Sequence, residues 1–291
     1  MESAATSFEA KSAALRAGLV ELERVAVAFS GGVDSSVLLA AALEALGPAP
    51  WAEGERASPP AAGAWRGAVG VIADSPSLPR RELAEARALA ASIGAPLLVV
   101  ATDELDDARY QANAGDRCYF CKSALFRAMR PWAESRGFRA LAFGEIADDL
   151  LDDRPGARAA REFGVVAPLS AAGFTKEDVR ALARRFRLAV AEKPASACLA
   201  SRLPVGTRVT KERLARVEEG EERLRALGLV QVRLRDHGTR AKVEVGAESL
   251  ALARMETARI EALLRELGFE TVELARYLSP LERARGVRAD G

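Results

Sequence analysis

Two groups of residues have the types and spacing to do chemistry. The first is "SGGVDSS", Ser30 to Ser36, which places three serine hydroxyls (Ser30, Ser35, Ser36), two glycines and the carboxylate of Asp34 within seven residues. Gly31 and Gly32 allow backbone conformations that turn amides toward an anion, and hydroxyls at a helix N-terminus add donors. Such a turn suits a pyrophosphate. Asp34 beside phosphates is repulsive unless a cation is shared, so it points to Mg²⁺ or a substrate cation and to metal-assisted phosphate chemistry. A plain Gly-Ser turn capping a helix is the simpler alternative. The Walker pattern and the G-x-G-x-x-G dinucleotide fingerprint are both absent.

The second group is the three cysteines. "GDRCYFCKSALF" holds a C-x-x-C, Cys118 and Cys121, and Cys198 follows far downstream. Four uses compete. A structural zinc site needs four ligands, and only His237, the sole histidine, could complete it. A thioredoxin-like redox pair leaves Cys198 unexplained. Inert packing as small hydrophobes is a third use. A fourth is an iron–sulfur cluster on three thiolates, which leaves one iron without a protein ligand and able to hold an exogenous sulfide. Sulfide delivered to an activated carboxylate yields a thiocarboxylate. The single histidine also weighs against a Ser-His-Asp triad.

Strands and helices alternate around these groups. A helix is expected over Phe8 to Leu22, a buried strand over Val25 to Phe29, then the Gly-rich turn and a helix from about Ser35 to Leu46. "AVGVIAD" (Ala68 to Asp74), the helical "PRRELAEARALAASIG", "APLLVVATD", a helix around Cys121 to Arg136 and the strand "RALAFGE" (Arg139 to Glu145) repeat the rhythm. Strands alternating with helices mean a doubly wound, mostly parallel α/β sheet. Residues 47–67, rich in Pro, Ala and Gly, read as a flexible surface insertion. Thr175 and Asp178 form a capping-box-like helix start, and Cys198 falls on the loop beyond that helix. From Lys211 the pattern becomes a long helix, the strands "VQVRLRD" and "RAKVEVG", a second long helix from Glu248 to Leu267 and "TVELARYL". The expected division is therefore 1–206, a smaller α+β domain over 207–281, and a frayed tail over 282–291.

The totals agree with this reading. A chain of 291 residues, 49% hydrophobic, can bury a substantial core. Lys and Arg number 42 against 41 Asp and Glu, so nucleic acid is not the default partner. The acidic N-terminus lacks a signal-peptide layout and no apolar run is long enough for a membrane span. A cytoplasmic protein is expected, and an odd cysteine number suits a reducing compartment.

The turn resembles the PP-loop, SGGxDS, of the ATP pyrophosphatase superfamily, whose fold is similar to that of the adenine nucleotide alpha hydrolases. "FSGGVDSSVLL", "ADSPSLPRREL", "GDRCYFCKSALF", "DDLLDDRPGARAAREFGVVAPL", "KPASACLASRLPVGTRVT" and "VRLRDHGTRAKVEV" together resemble the LarE family over nearly the whole chain. The resemblance implies Mg²⁺-dependent adenylylation of pyridinium-3,5-biscarboxylic acid mononucleotide, loss of pyrophosphate, and replacement of AMP by sulfur, twice. The product supplies the thiocarboxylates of the nickel-pincer nucleotide used by lactate racemase and its relatives. Members with only the cysteine at position 198 sacrifice its sulfur; those with three resemble [4Fe-4S]-dependent enzymes, and this chain has Cys118, Cys121 and Cys198. The cluster version is expected, with sacrifice of Cys198 as the alternative.

By the same resemblance, Ser30, Gly31, Gly32, Asp34, Ser35, Ser36, Ala73 and Gly144 are expected to bind ATP, with Asp34 and Cys198 catalytic. Asp149, Asp152, Arg154, Arg202, Arg233 and Arg235 are expected to bind substrate, since a guanidinium grips phosphate or carboxylate in a planar fork. An acidic surface turn and a solvated strand face are the ordinary alternatives for these residues. Where the family pattern commonly reads G-T-N-x-D-D, this chain has "GEIADD", putting Glu145 and Ile146 at the Thr and Asn positions. A homo-oligomer and an unidentified sulfide donor are implied. Rival readings are a PP-loop tRNA thiolation enzyme, disfavoured by the balanced charge, a PP-loop amidotransferase or synthetase, which leaves the cysteines unused, and a non-catalytic nucleotide-binding module, disfavoured by the intact turn.

Overall fold

The computed structural model describes residues 2–50, 65–151, 154–194, 196–278 and 282. In chain order the elements are α1 (Glu2–Leu22), β1 (Arg24–Ala28), α2 (Val33–Leu46), β2 (Gly67–Asp74), α3 (Arg80–Ser92) and β3 (Leu97–Ala101). Next come α4 (Ala108–Ala112), α5 (Arg117–Ser135), β4 (Ala140–Phe143), α6 (Pro155–Glu162), α7 (Pro168–Ala171) and α8 (Lys176–Arg185). The chain continues through α9 (Lys211–Ala226), β5 (Arg233–His237), β6 (Arg240–Val245), α10 (Leu250–Met255), α11 (Thr257–Glu266) and β7 (Thr271–Arg276).

Contacts divide the chain into two units, one of residues 1–107 and 116–196, the other of 108–115 and 197–291. The first holds a four-stranded, all-parallel sheet in the order β3-β2-β1-β4. Its central strand β1 is buried at every position, as a strand covered by helices on both faces must be. Val25, Val27 and Phe29 pack with α2 and α8, while Ala26 and Ala28 pack with α5 on the opposite face. The C-terminal ends of β1, β2 and β4 therefore open on one edge, where parallel sheets bind ligands. The expected α/β doubly wound core is present. The Pro- and Ala-rich insertion lies largely outside the described residues, as does nearly all of the expected tail.

The second unit carries a three-stranded sheet, β5-β6-β7, with β5 antiparallel and β7 parallel to β6. The short α4 belongs to it because Asn113 stitches the two segments together. Its amide donates to the carbonyls of Pro204 (2.8 Å) and Thr207 (3.1 Å), and its own carbonyl accepts from Gly206. Division at 196/197 puts Cys198 in this unit, ahead of the boundary expected near Gly206.

Two sequence expectations are corrected. The long helix over Glu248 to Leu267 is broken into α10 and α11 at Glu256, where the Thr257 hydroxyl donates back to the carbonyls of Arg254 (2.8 Å) and Ala253 (3.3 Å). Strand β5 begins at Arg233 instead of Val230 because Gln231 takes φ +53°, which no strand residue adopts.

Candidate functional site

The phosphate turn is built where β1 stops. Gly31 has φ +70°, and a Cβ there would sit 2.9 Å from that of Ala86 on α3, so only glycine fits. Gly32 caps α2 without a side-chain hydrogen bond, and the serines supply internal order. Ser35 Oγ accepts from the Ser30 amide at 3.1 Å and lies 3.0 Å from Ser30 Oγ, while Ser36 Oγ donates to the Gly32 carbonyl at 2.7 Å. Ser30 itself is exposed and Asp34 half-buried.

From the next strand, Gly144 closes on this turn. A Cβ at Gly144 would lie 2.7 Å from the Ser35 amide nitrogen and 2.9 Å from the Asp34 carbonyl carbon, so the chain leaving β4 touches the turn's backbone. Ala73 stands at the C-terminal end of β2. The structure thus brings Ser30, Gly31, Gly32, Asp34, Ser35, Ser36 and Gly144 together.

A partner that the sequence reading missed completes this cluster. Lys176, the first residue of α8, places its Nζ 2.8 Å from both carboxylate oxygens of Asp34. Its amide donates to Asp148 at 2.8 Å. Thr175 and Asp178 form the expected capping box, and Lys11 reinforces it by donating to Asp178 at 2.6 Å. The cap that fixes the start of α8 is what aims Lys176 at the turn. Asp34 thus already holds one positive group, the Lys176 ammonium, at the turn.

Beyond β4, Asp149 accepts from the Ile146 amide and pairs with Arg154 at 2.5 Å. Asp152 lies outside the described residues. Glu145 is 8% exposed; burial, with the like charge of Asp149 adding to it, pushes its carboxyl above the usual range. On α5, Cys118 and Cys121 lie three residues apart in the opening turns, Cys118 exposed and Cys121 half-buried. Lys122 follows, its ammonium 5.9 Å from the ring centres of both Phe126 and Phe143. Burial pulls the Lys122 pKa down, and the charges of Cys121 and Cys118 oppose that pull. Among the described residues no group of three or more His, Cys, Asp or Glu side chains forms a metal-ion cage.

The second unit gathers the remaining candidates around Cys198. Cys198 precedes the short 3-10 turn Leu199–Arg202, and its carbonyl accepts from Ser201 Oγ (2.7 Å) and Arg202 Nη1 (3.0 Å). Arg202 is 2% exposed and also donates to the Ala197 carbonyl (2.6 Å) and to Glu221 through Nε (2.8 Å). Glu221, 1% exposed, further accepts from Arg225 (2.6 Å) and the Leu234 amide (3.1 Å). Burial pushes the Glu221 carboxyl up, but the hydrogen bond and charge of Arg202, with Arg225, outweigh it and hold the pKa below the usual range.

Arg233 and Arg235 share one side of β5, with Leu234 and Asp236 buried on the other. Arg235 is engaged, donating to Glu244 (2.8 Å) and to the Ser201 carbonyl (2.8 Å). Arg233 has no carboxylate within ion-pair distance among the described residues. It donates to the Val232 carbonyl at 3.4 Å and lies 5.5 Å over the Tyr277 ring. Burial, and then the neighbouring charge of Arg202, pull its pKa down. A half-buried guanidinium short of a counter-charge has the chemistry to take an anion. Nothing in "VEEGEERLRA" marks Glu221 as its one fully buried carboxylate; the signal is tertiary.

No family model matches the chain. It is 34% identical over 264 residues to the pyridinium-3,5-bisthiocarboxylic acid mononucleotide synthase of Lactiplantibacillus plantarum, covering 91% of this chain and 90% of that one. It is 38% identical over 243 residues to an uncharacterized Synechocystis protein, covering 84% of each. A third similarity, 29% over 160 residues, is to an uncharacterized protein of Methanocaldococcus jannaschii.

Proposed function

The chain belongs to the LarE family and is an enzyme, and from that premise we propose that it uses ATP to adenylylate the carboxylates of pyridinium-3,5-biscarboxylic acid mononucleotide and replaces each AMP by sulfur. The observation that carries this reading is the phosphate turn, with its ordered serines and Asp34 gripping a cation at 2.8 Å. A substrate carboxylate oxygen attacks the α-phosphorus of ATP and the bond to the pyrophosphate oxygen breaks. A sulfur nucleophile then adds to the acyl carbon, the bond to the AMP oxygen breaks, and a thiocarboxylate results.

The turn's amides and hydroxyls would hold the polyphosphate, and Asp34 would hold Mg²⁺, which would offset the phosphates' negative charge. Arg233 takes the phosphate or a carboxylate of the acid, since its counter-charge is missing. Arg202 fixes the backbone that presents Cys198. Cys118, Cys121 and Cys198 are the thiolates proposed for a [4Fe-4S] cluster. The C-x-x-C on α5 has the donor type that such a cluster takes. When bound, the cluster supplies an iron free of protein ligands that can hold sulfide from an external donor.

The test is acid-dependent exchange of pyrophosphate into ATP, followed by anaerobic purification with iron and sulfide assays on the wild type and Cys118→Ala. Exchange, near four irons per chain, and loss of iron in the variant are expected. Iron-free protein that leaves Cys198 one sulfur lighter after turnover would establish the sacrificial route instead.

A further inference from the structure

The segment that joins α8 to Cys198 forms no helix or strand over the described residues of 186–197, yet side chains tie it down. Arg180 of α8 donates to the Ala191 carbonyl at 2.7 Å, and the Lys193 amide donates to the Val190 carbonyl at 3.0 Å. Lys193 then reaches α3. Its ammonium lies 2.7 Å from a Glu82 oxygen and 2.8 Å from Glu85, with 22% of the side chain exposed. Ser196 Oγ donates to the other oxygen of Glu82 at 2.6 Å. Burial pulls the Lys193 pKa down, but the hydrogen bonds to Glu82 and Glu85 outweigh it and hold the pKa above the usual range. Pro194 has a fixed φ and biases Lys193 toward extended backbone, so little slack is left between the two anchors.

The helix that takes this anchor also walls the phosphate turn. Ala86 meets Gly31, where an added Cβ would lie 2.9 Å from the alanine's own, and Glu82 stands one helical turn before Ala86 on the same face. Ser196 is the last residue of the first unit, and Cys198 follows it by two. Two residues of chain span at most about 7 Å, so the anchor at Ser196 limits how far Cys198 can travel from α3. Partly exposed ion pairs add little to stability, whereas a misplacement of about 1 Å can slow a reaction about 100-fold. We propose that Lys193 is a positioning residue for Cys198: its grip on Glu82 and Glu85 holds the chain leading to the thiol against the helix that walls the phosphate turn. The proposal rests on the reading of Cys198 as a sulfur-transfer residue. It holds for either sulfur source, since both require that cysteine near the adenylylated carboxyl carbon.

The experiment compares wild type, Lys193→Met, Lys193→Arg and Glu82→Gln, all purified anaerobically. Acid-dependent pyrophosphate exchange reads adenylylation, thiocarboxylate formation reads sulfur transfer, and hydrogen exchange of amides 196–200 reads the anchor in protein without ATP or acid. Lys193→Met is expected to keep pyrophosphate exchange within about twofold, while kcat for thiocarboxylate falls about tenfold or more at unchanged KM for the acid. Amides 196–200 should exchange about tenfold faster in that variant, with the remainder of the chain unchanged. Lys193→Arg should stay within about threefold of wild type in transfer, because a guanidinium also serves two carboxylates. Glu82→Gln repeats the loss from the other side of the pair and should fall between methionine and wild type. Full transfer in Lys193→Met, pyrophosphate exchange falling in step with transfer, or unchanged amides at 196–200 overturns the proposal. Thiocarboxylate formation that survives Cys198→Ala overturns the reading of Cys198 and not the anchor, which amide exchange then decides.

Discussion

The Nζ of Lys176 lies 2.8 Å from each carboxylate oxygen of Asp34, joining the start of α8 to the phosphate turn across 142 residues of sequence. The ammonium offsets the negative charge that Asp34 brings to the turn.

Removing that ammonium should affect turnover far more than folding. The pair is partly exposed, 42% for Lys176 and 29% for Asp34, so Lys176→Met should change stability by less than about 1 kcal/mol. Pyrophosphate exchange should fall about 100-fold, the scale of losing one donor to a transferring phosphoryl group. The Mg²⁺ concentration for half-maximal exchange should drop, because nothing competes for Asp34. A magnesium titration of both proteins checks this.

Gly144→Ala tests the approach of the β4 exit to the turn. The added methyl meets backbone at 2.7 Å, which no side-chain rotation relieves, so about 1–3 kcal/mol of stability should be lost. Weaker ATP binding should accompany it, read by denaturant melts and calorimetry on one preparation.

The two strand arginines should separate. Arg233→Ala removes a guanidinium with no carboxylate partner, so KM for the acid should rise at least about tenfold with the melting temperature nearly unchanged. Arg235→Ala leaves Glu244 and the Ser201 carbonyl short of a donor, so the melting temperature should fall. Equal thermal effects in the two variants would contradict the assignment.

Glu221→Gln breaks the buried pair with Arg202 and should cost about 3–5 kcal/mol at neutral pH. The folded carboxyl titrates below the unfolded one, so its stabilisation is full above the unfolded pKa and is lost as pH falls through the folded value. The gap between wild type and variant should therefore close on acidification. Urea melts over a pH series measure it. Because Arg202 also holds the Ala197 and Cys198 carbonyls, sulfur transfer should slow in the variant while exchange is retained.

The parallel α/β core, the Gly-Ser turn and the cap of α8 were legible in the chain before any fold was seen, because each is written in a few neighbouring residues. Apolar runs punctuated by turns give strands and helices, two glycines among serines give an anion cradle, and Thr175 with Asp178 gives a helix start. The break at Glu256 escaped because the apolar pattern runs through it while that one residue leaves the helical conformation at φ −91° and ψ 12°. Tertiary structure alone decided which charges are committed and which are available. Arg202, Arg233 and Arg235 look alike in the chain, yet two are engaged by Glu221 and Glu244 and one is not. Lys176 meets Asp34 only because α8 packs beside α2, and Glu145 is buried by the fold and not by its neighbours in sequence. Pairing and burial of charge depend on distances between remote segments, which local periodicity does not encode.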